Sequence, residues 1–213
     1  MSDATHDAEE DRHTETGIEV GDDPDELDVP TWEDEYVDRV SDRLMYNYDL
    51  EKDRVVGGER VTLYGQMELH SQKHFLHPAL SFAHHESFEH LFVVHEPRVD
   101  DATLDRFVDL GHELAEEWVE PDEEHFSTDF TFVLLTAEIP EAVRDRVASF
   151  SDRTMLKMGY NGHYEINLVV VAPDREDLVS SQEAAIEPAF RLWEPIERKE
   201  PGILGLIARR LQL

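Results

Sequence analysis

Hydrophobic and polar positions follow one another along this chain in blocks of different period, and each block predicts an element. Trp32, Tyr36, Val40 and Leu44 recur at helical spacing, with Val37 and Met45 beside them. This is the apolar stripe of an amphipathic helix running from an N-cap at Thr31 to about Tyr48. Gly57 and Gly58 follow Val55 and Val56 and supply the positive φ of a two-residue hairpin turn. The outgoing strand alternates: Val61, Leu63, Met67 and Leu69 fall on one face, and Arg60, Thr62, Tyr64, Gln66, Glu68 and His70 on the other. His77 and Pro78 break it.

Residues 86–96 contain Leu91, Phe92, Val93 and Val94 in succession, the mark of a strand buried on both faces. Asp101 then caps a helix with Leu104, Phe107, Val108, Leu114 and Trp118 on one side, and Gly111 permits close approach to a neighbour. Residues 126–139 form a second doubly apolar strand, so strand, helix and strand make a βαβ unit with a parallel pair. Pro140 opens a short helix with Val143, Val147 and Phe150 inward. Asn161 and Gly162 are the preferred pair for a type I′ turn between residues 154–160 and 163–172. In that register Tyr160 faces His163, Met158 faces Glu165 and Lys157 faces Ile166, so Lys157 is expected to snorkel from the apolar face, the alternative being a desolvated amine able to act as a base. Tyr164, Ile166, Leu168 and Val170 share that face, and His163, Glu165 and Asn167 the other. A further short helix lies around residues 181–193. The pattern predicts an α+β fold: one mixed β-sheet of about six strands flanked by helices, in a single domain over residues 31–200.

The flanks differ. Residues 1–30 have almost no large apolar residue, with Ile18, Val20, Leu27 and Val29 isolated among acids, which predicts a disordered acidic tail. Residues 201–213 carry Ile203, Leu204, Leu206, Ile207, Leu211 and Leu213 as the stripe of an amphipathic helix, with Arg209 and Arg210 near its negative end. Such a short helix needs a surface, which could be its own core, a sister subunit in a homodimer, or a peripheral membrane contact.

Charge changes the picture most. Fifty acids against nineteen bases give a formal net charge of −31 over 213 residues, and only four of the bases are lysines: Lys52, Lys73, Lys157 and Lys199. A surface of this kind repels itself at low ionic strength, whereas molar salt shortens the screening length to roughly 3 Å. Acid excess with few lysines points to a salt-rich, halophilic cytoplasm. The same charge argues against nucleic acid, since phosphate binding needs clustered Lys or Arg. The absence of cysteine removes disulfides, thiolate metal sites and cysteine nucleophiles, and fits a reducing cytoplasm. No apolar run approaches the ~18 residues of a transmembrane segment.

Candidate chemistry concentrates in residues 64–97, which hold His70, His74, His77, His84, His85, His90 and His95, seven of the twelve histidines. Glu68, His70 and His74 project to one side of a strand and could converge on a divalent metal with open positions. No spacing-defined metal motif accompanies them. A second candidate joins Tyr64, Gln66 and Glu68 to His163, Glu165 and Asn167 as the polar floor of a ligand-binding pocket, or as a wet sheet face. His95, in an interior strand, reads as a hydrogen-bonded core residue. No catalytic residue is assigned. There is no nucleophile elbow, and Gly57 and Gly58 are a turn rather than a phosphate loop.

The ordered region, through phrases such as LYGQ, HPALS and ESFEHLFVV, resembles uncharacterised conserved proteins of halophilic archaea, a domain of unknown function. The resemblance implies no activity and no functional residues. The leading expectation is therefore a non-enzymatic binding or regulatory domain for an unknown protein or small-molecule partner, without cofactor. The alternative is a metal-dependent, hydrolase-like enzyme using the His/Glu cluster.

Overall fold

The computed structural model describes residues 30–72, 84–122 and 124–195. The acidic tail, His74, His77 and the segment 201–213 lie outside the described residues. The order of elements is α1 (Glu35–Leu44), β1 (Asp49–Val56), β2 (Glu59–Gln72), β3 (His84–His95), α2 (Asp101–Trp118), β4 (His125–Leu135), α3 (Glu141–Ala148), β5 (Asp152–Met155), β6 (His163–Ala172), β7 (Asp177–Ser180) and α4 (Glu187–Phe190). The seven strands form one mixed sheet in the order β1-β2-β3-β4-β6-β5, with β7 also paired to β6. Pairs β3–β4 and β4–β6 are parallel and the others antiparallel.

Helices cover both faces. On one, Leu104, Phe107, Leu110 and Leu114 of α2 and Val143 and Val147 of α3 pack with Phe92, Phe132, Ile166 and Leu168. On the other, Val37, Val40 and Leu44 of α1 and Phe190 of α4 meet Leu63, Leu91, Val93, Val133 and Val169. This double cover is why β3, β4 and β6 are apolar at successive positions. A Cβ on Gly111 would stand 2.9 Å from Ile166 and 3.1 Å from Phe132, so the bare backbone here lets α2 settle close to the sheet.

Several local expectations are corrected. The N-cap of α1 is Asp34, which accepts from Val37 N–H, and that of α2 is Asp100, which accepts from Thr103 N–H. Residues 181–193 are mostly turns, with a helix of only four residues at α4. Val61 and Leu63 do not share a face: Val61 joins the α2 side and Leu63 the α1 side. The change of phase lies opposite Asp53, held at φ 54 in the paired strand.

The Gly57–Gly58 hairpin forms as expected, both residues having positive φ. Asn161 and Gly162 do not make a two-residue turn. Lys157, Met158 and Gly159 at φ 44, 60 and 90 turn the chain earlier, and Met155 rather than Tyr160 faces His163. Arg153 stands opposite Glu165 and Asp152 opposite Ile166. Lys157 is therefore off the apolar face, with Nζ donating to Pro121 O at 3.1 Å. Asn161 is buried in this wider loop, where a type I′ turn would have needed positive φ at both central residues.

Gly162 and Gly58 give a test of this loop. Gly162 has φ 73, and a Cβ there would lie 2.1 Å from Phe126 O; Gly58 has φ 86 with nothing near. Gly58→Ala should cost about 1 kcal/mol, the left-handed penalty alone, and Gly162→Ala about 3 kcal/mol or more, in denaturant unfolding.

Candidate functional site

The residues expected to share a polar floor are separated by the pleat of the sheet. Across β2, β3, β4 and β6 one register row reads Gln66, His90, Phe130, Ile166, and it faces α2. The next row reads Met67, Glu89, Asp129, Glu165, and it faces α1. Tyr64, Gln66 and Glu68 thus lie on the α2 side, and His163, Glu165 and Asn167 on the opposite side with two strands intervening. The cavity that takes in Tyr64 and Gln66 is not lined by His163, Glu165 or Asn167. Of the expected metal set, Glu68 is exposed on β2, His70 pairs in register with Glu86, and His74 lies outside the described residues. Among the described residues no group of three or more His, Asp or Glu is placed to hold a metal ion.

On the α2 side a cavity of about 380 Å³ opens beside the end of α2, lined by Arg54, Tyr64, Gln66, His90 and Trp118 among others, with Glu86, Glu120 and Asp122 contributing acids. His90 reaches it because its neighbours in the apolar run Leu91 and Phe92 fix the alternation of β3. Its ring stacks on Phe130 at 5.3 Å and meets the Trp118 edge at 5.0 Å. Burial, helped by the Arg54 charge, pushes His90 down to about 4, so the imidazole is neutral at physiological pH. Tyr64 is pushed up to about 12, mainly by burial and against the pull of Arg54.

These two side chains form a short relay. Tyr64 Oη lies 2.8 Å from His90 Nδ1 and 3.3 Å from Gln66 Oε1. Tyr64 has one proton to give. Both contacts are satisfied together when His90 Nδ1–H donates to Tyr64 and Tyr64 donates to Gln66, which leaves Nε2 with its lone pair. The Arg54 guanidinium lies 4.2 Å from the Tyr64 ring centroid and 5.7 Å from that of Trp118. His125, also lining the cavity, is fully engaged. Nδ1–H donates to Asn161 O at 2.8 Å, and Nε2 accepts from Thr128 Oγ1 at 2.9 Å, so this histidine anchors the loop before β6.

The α1 side holds a different constellation. Glu89, Asp129 and Glu165 stand side by side on β3, β4 and β6. Tyr48 O–H donates to Glu89, and Arg153 donates to Glu165 from the next strand. His163 Nε2 is 3.3 Å from Glu165, with its pKa lowered by burial and by Arg153 against the opposing effect of Glu165. Asp129 Oδ1 is enclosed with no hydrogen-bond partner among the described residues. Burial first, then the charges of Glu165 and Glu89, push Asp129 up to about 7. Protonation there avoids three adjacent negative charges. Asn167 is occupied by Ser181, whose Oγ donates to its Oδ1 at 3.2 Å.

A wider groove of about 940 Å³ lies at the carboxyl ends of β3 and β4, near Tyr36, Thr136 and Trp193. His95 lies there, exposed, with Nε2 3.5 Å from Asp34. It is not the buried residue expected, because it is the last residue of β3, beyond the covered part of the sheet.

In the sequence pattern Arg54 and Asp129 carry no functional reading, and Trp118 only that of an apolar residue of the helix. Two signals were available: a histidine interrupting FEHLF and an aspartate interrupting TDFTF, each a polar residue inside a strand otherwise committed to the core.

Residues 33–192 match the domain family described as "Domain of unknown function (DUF8052)". No curated protein and no solved structure matches the chain.

Asp129 carries a pH prediction. Its ordinary value is 3.8 and its folded value about 7, so the folded state holds a proton that the unfolded state has lost. Stability from this residue is therefore complete below about pH 4 and declines as pH rises through 7. Relative to wild type, Asp129→Asn should gain about 1–3 kcal/mol at pH 8 and little at pH 4, in unfolding curves at matched salt.

Proposed function

The chain belongs to this family of unknown function, and on that premise we propose that it is a non-enzymatic binding or regulatory module that takes a small molecule in the α2-side cavity. The supporting observation is the neutral, buried His90 hydrogen-bonded to Tyr64 in the wall of a cavity with Arg54 and Trp118. The wall sets the aromatic rings of Tyr64, Phe88 and Trp118 among polar and charged groups, and small-molecule sites use such placed polar groups to fix a ligand's orientation. The volume of about 380 Å³ falls within the size range of such sites. The working compartment we propose is a salt-rich cytoplasm, on the ground of the −31 net charge and the paucity of lysine. No helix among the described residues is long and apolar enough to cross a membrane.

A fragment screen followed by amide and indole NMR shifts tests the reading. Trp118 lines the cavity, whereas the Trp32 indole N–H is tied to Thr62 O at 2.8 Å and serves as an internal control. Binders should move the Trp118 indole signal and leave that of Trp32 in place. His90→Phe keeps a ring between Phe130 and Trp118 but removes both nitrogens, and should weaken a polar binder about tenfold, in line with the loss of one buried hydrogen bond. A screen in which every hit moves Trp32 and none moves Trp118 would sink the proposal.

A further inference from the structure

We infer that the ligand of this cavity is a small organic cation, an ammonium or quaternary ammonium group that enters between Tyr64 and Trp118 where the Arg54 guanidinium now lies. The inference rests on the binding reading above and names its chemistry. The two rings already accept a cation from the chain itself, at 4.2 Å and 5.7 Å. Aromatic faces attract a cation through their quadrupoles, and more strongly when it is partly desolvated.

Arg54 is suited to give way. It projects from β1, the edge strand of the sheet, and its side chain is about one-third exposed. Its ion pair is with Glu51 at 3.2 Å, itself more than half exposed. Pairs of this kind contribute little, so what the arginine gives up is mainly its contact with the two rings, which the incoming cation takes over. Among the described residues lining the cavity, the acids Glu86, Glu120 and Asp122 outnumber the guanidinium of Arg54, which favours a ligand of positive sign. In molar salt the −31 of the whole chain is screened beyond roughly 3 Å, so it is the acids at the mouth itself that bear on a ligand's sign. An anion would have to approach past these acids to reach one arginine that already faces a carboxylate.

The test titrates the full chain with choline, with its neutral isostere 3,3-dimethylbutanol, and with acetate, reading the Trp118 indole signal at fixed ionic strength. Choline should bind at least about tenfold tighter than the isostere, and Arg54→Gln should tighten choline severalfold by vacating the rings. Weaker choline binding in Arg54→Gln, or acetate binding in place of choline, would make the arginine an anion handle and overturn the inference. Equal binding of choline and the isostere at Trp118 would also overturn it, while leaving the cavity as a ligand site. If no probe and no screening fragment moves Trp118, both proposals fall together.

Discussion

The pleat of three parallel strands, covered by helices on both faces, is the constraint on which the rest of the structure depends. In β3, β4 and β6 a step of one residue moves a side chain from the α2 layer to the α1 layer. Phe92 and Phe132 stack at 4.8 Å within the first layer, while Val93 and Val133 are buried in the second. With both layers filled, the register has no freedom to slip. Polar residues embedded in these strands are therefore sent to fixed destinations. Glu89 goes to the carboxylate row beneath the α1 side, and its neighbour His90 goes to the cavity beneath α2.

Local environment then overrides the charge of the whole chain. At −31 the molecule is strongly anionic, yet of the two groups with the most telling positions one is neutral at physiological pH and the other titrates close to it. His90 is neutral because burial and Arg54 disfavour its cation, and Asp129 holds a proton to about pH 7 because burial and two carboxylates disfavour its anion. The surface acids govern how the protein meets salt and approaching ions. The buried groups govern what the cavity can recognise and how stability responds to pH.

Much of the fold was legible in the sequence because it rests on periodicity. The stripe from Val37 to Leu44, the Gly57–Gly58 turn and the strand–helix–strand unit through α2 each follow from local pattern. The failures come from packing that no local pattern encodes. Asn161 and Gly162 lost their favoured turn to a wider loop held by His125 and closed against Phe126. The residues of the candidate floor, Tyr64, Gln66, Glu68, His163, Glu165 and Asn167, are divided between the two faces because face parity between strands depends on how many strands intervene and in what register. Arg54 and Trp118 come together only in three dimensions, one from an edge strand and one from a helix end.

His90 offers the most direct test of the whole arrangement. A long-range proton–nitrogen NMR titration of its ring should give a pKa near 4, with the neutral form protonated at Nδ1 toward Tyr64. A titration near the ordinary value of 6.5, or a neutral form protonated at Nε2, would contradict the buried relay and with it the cavity built around it.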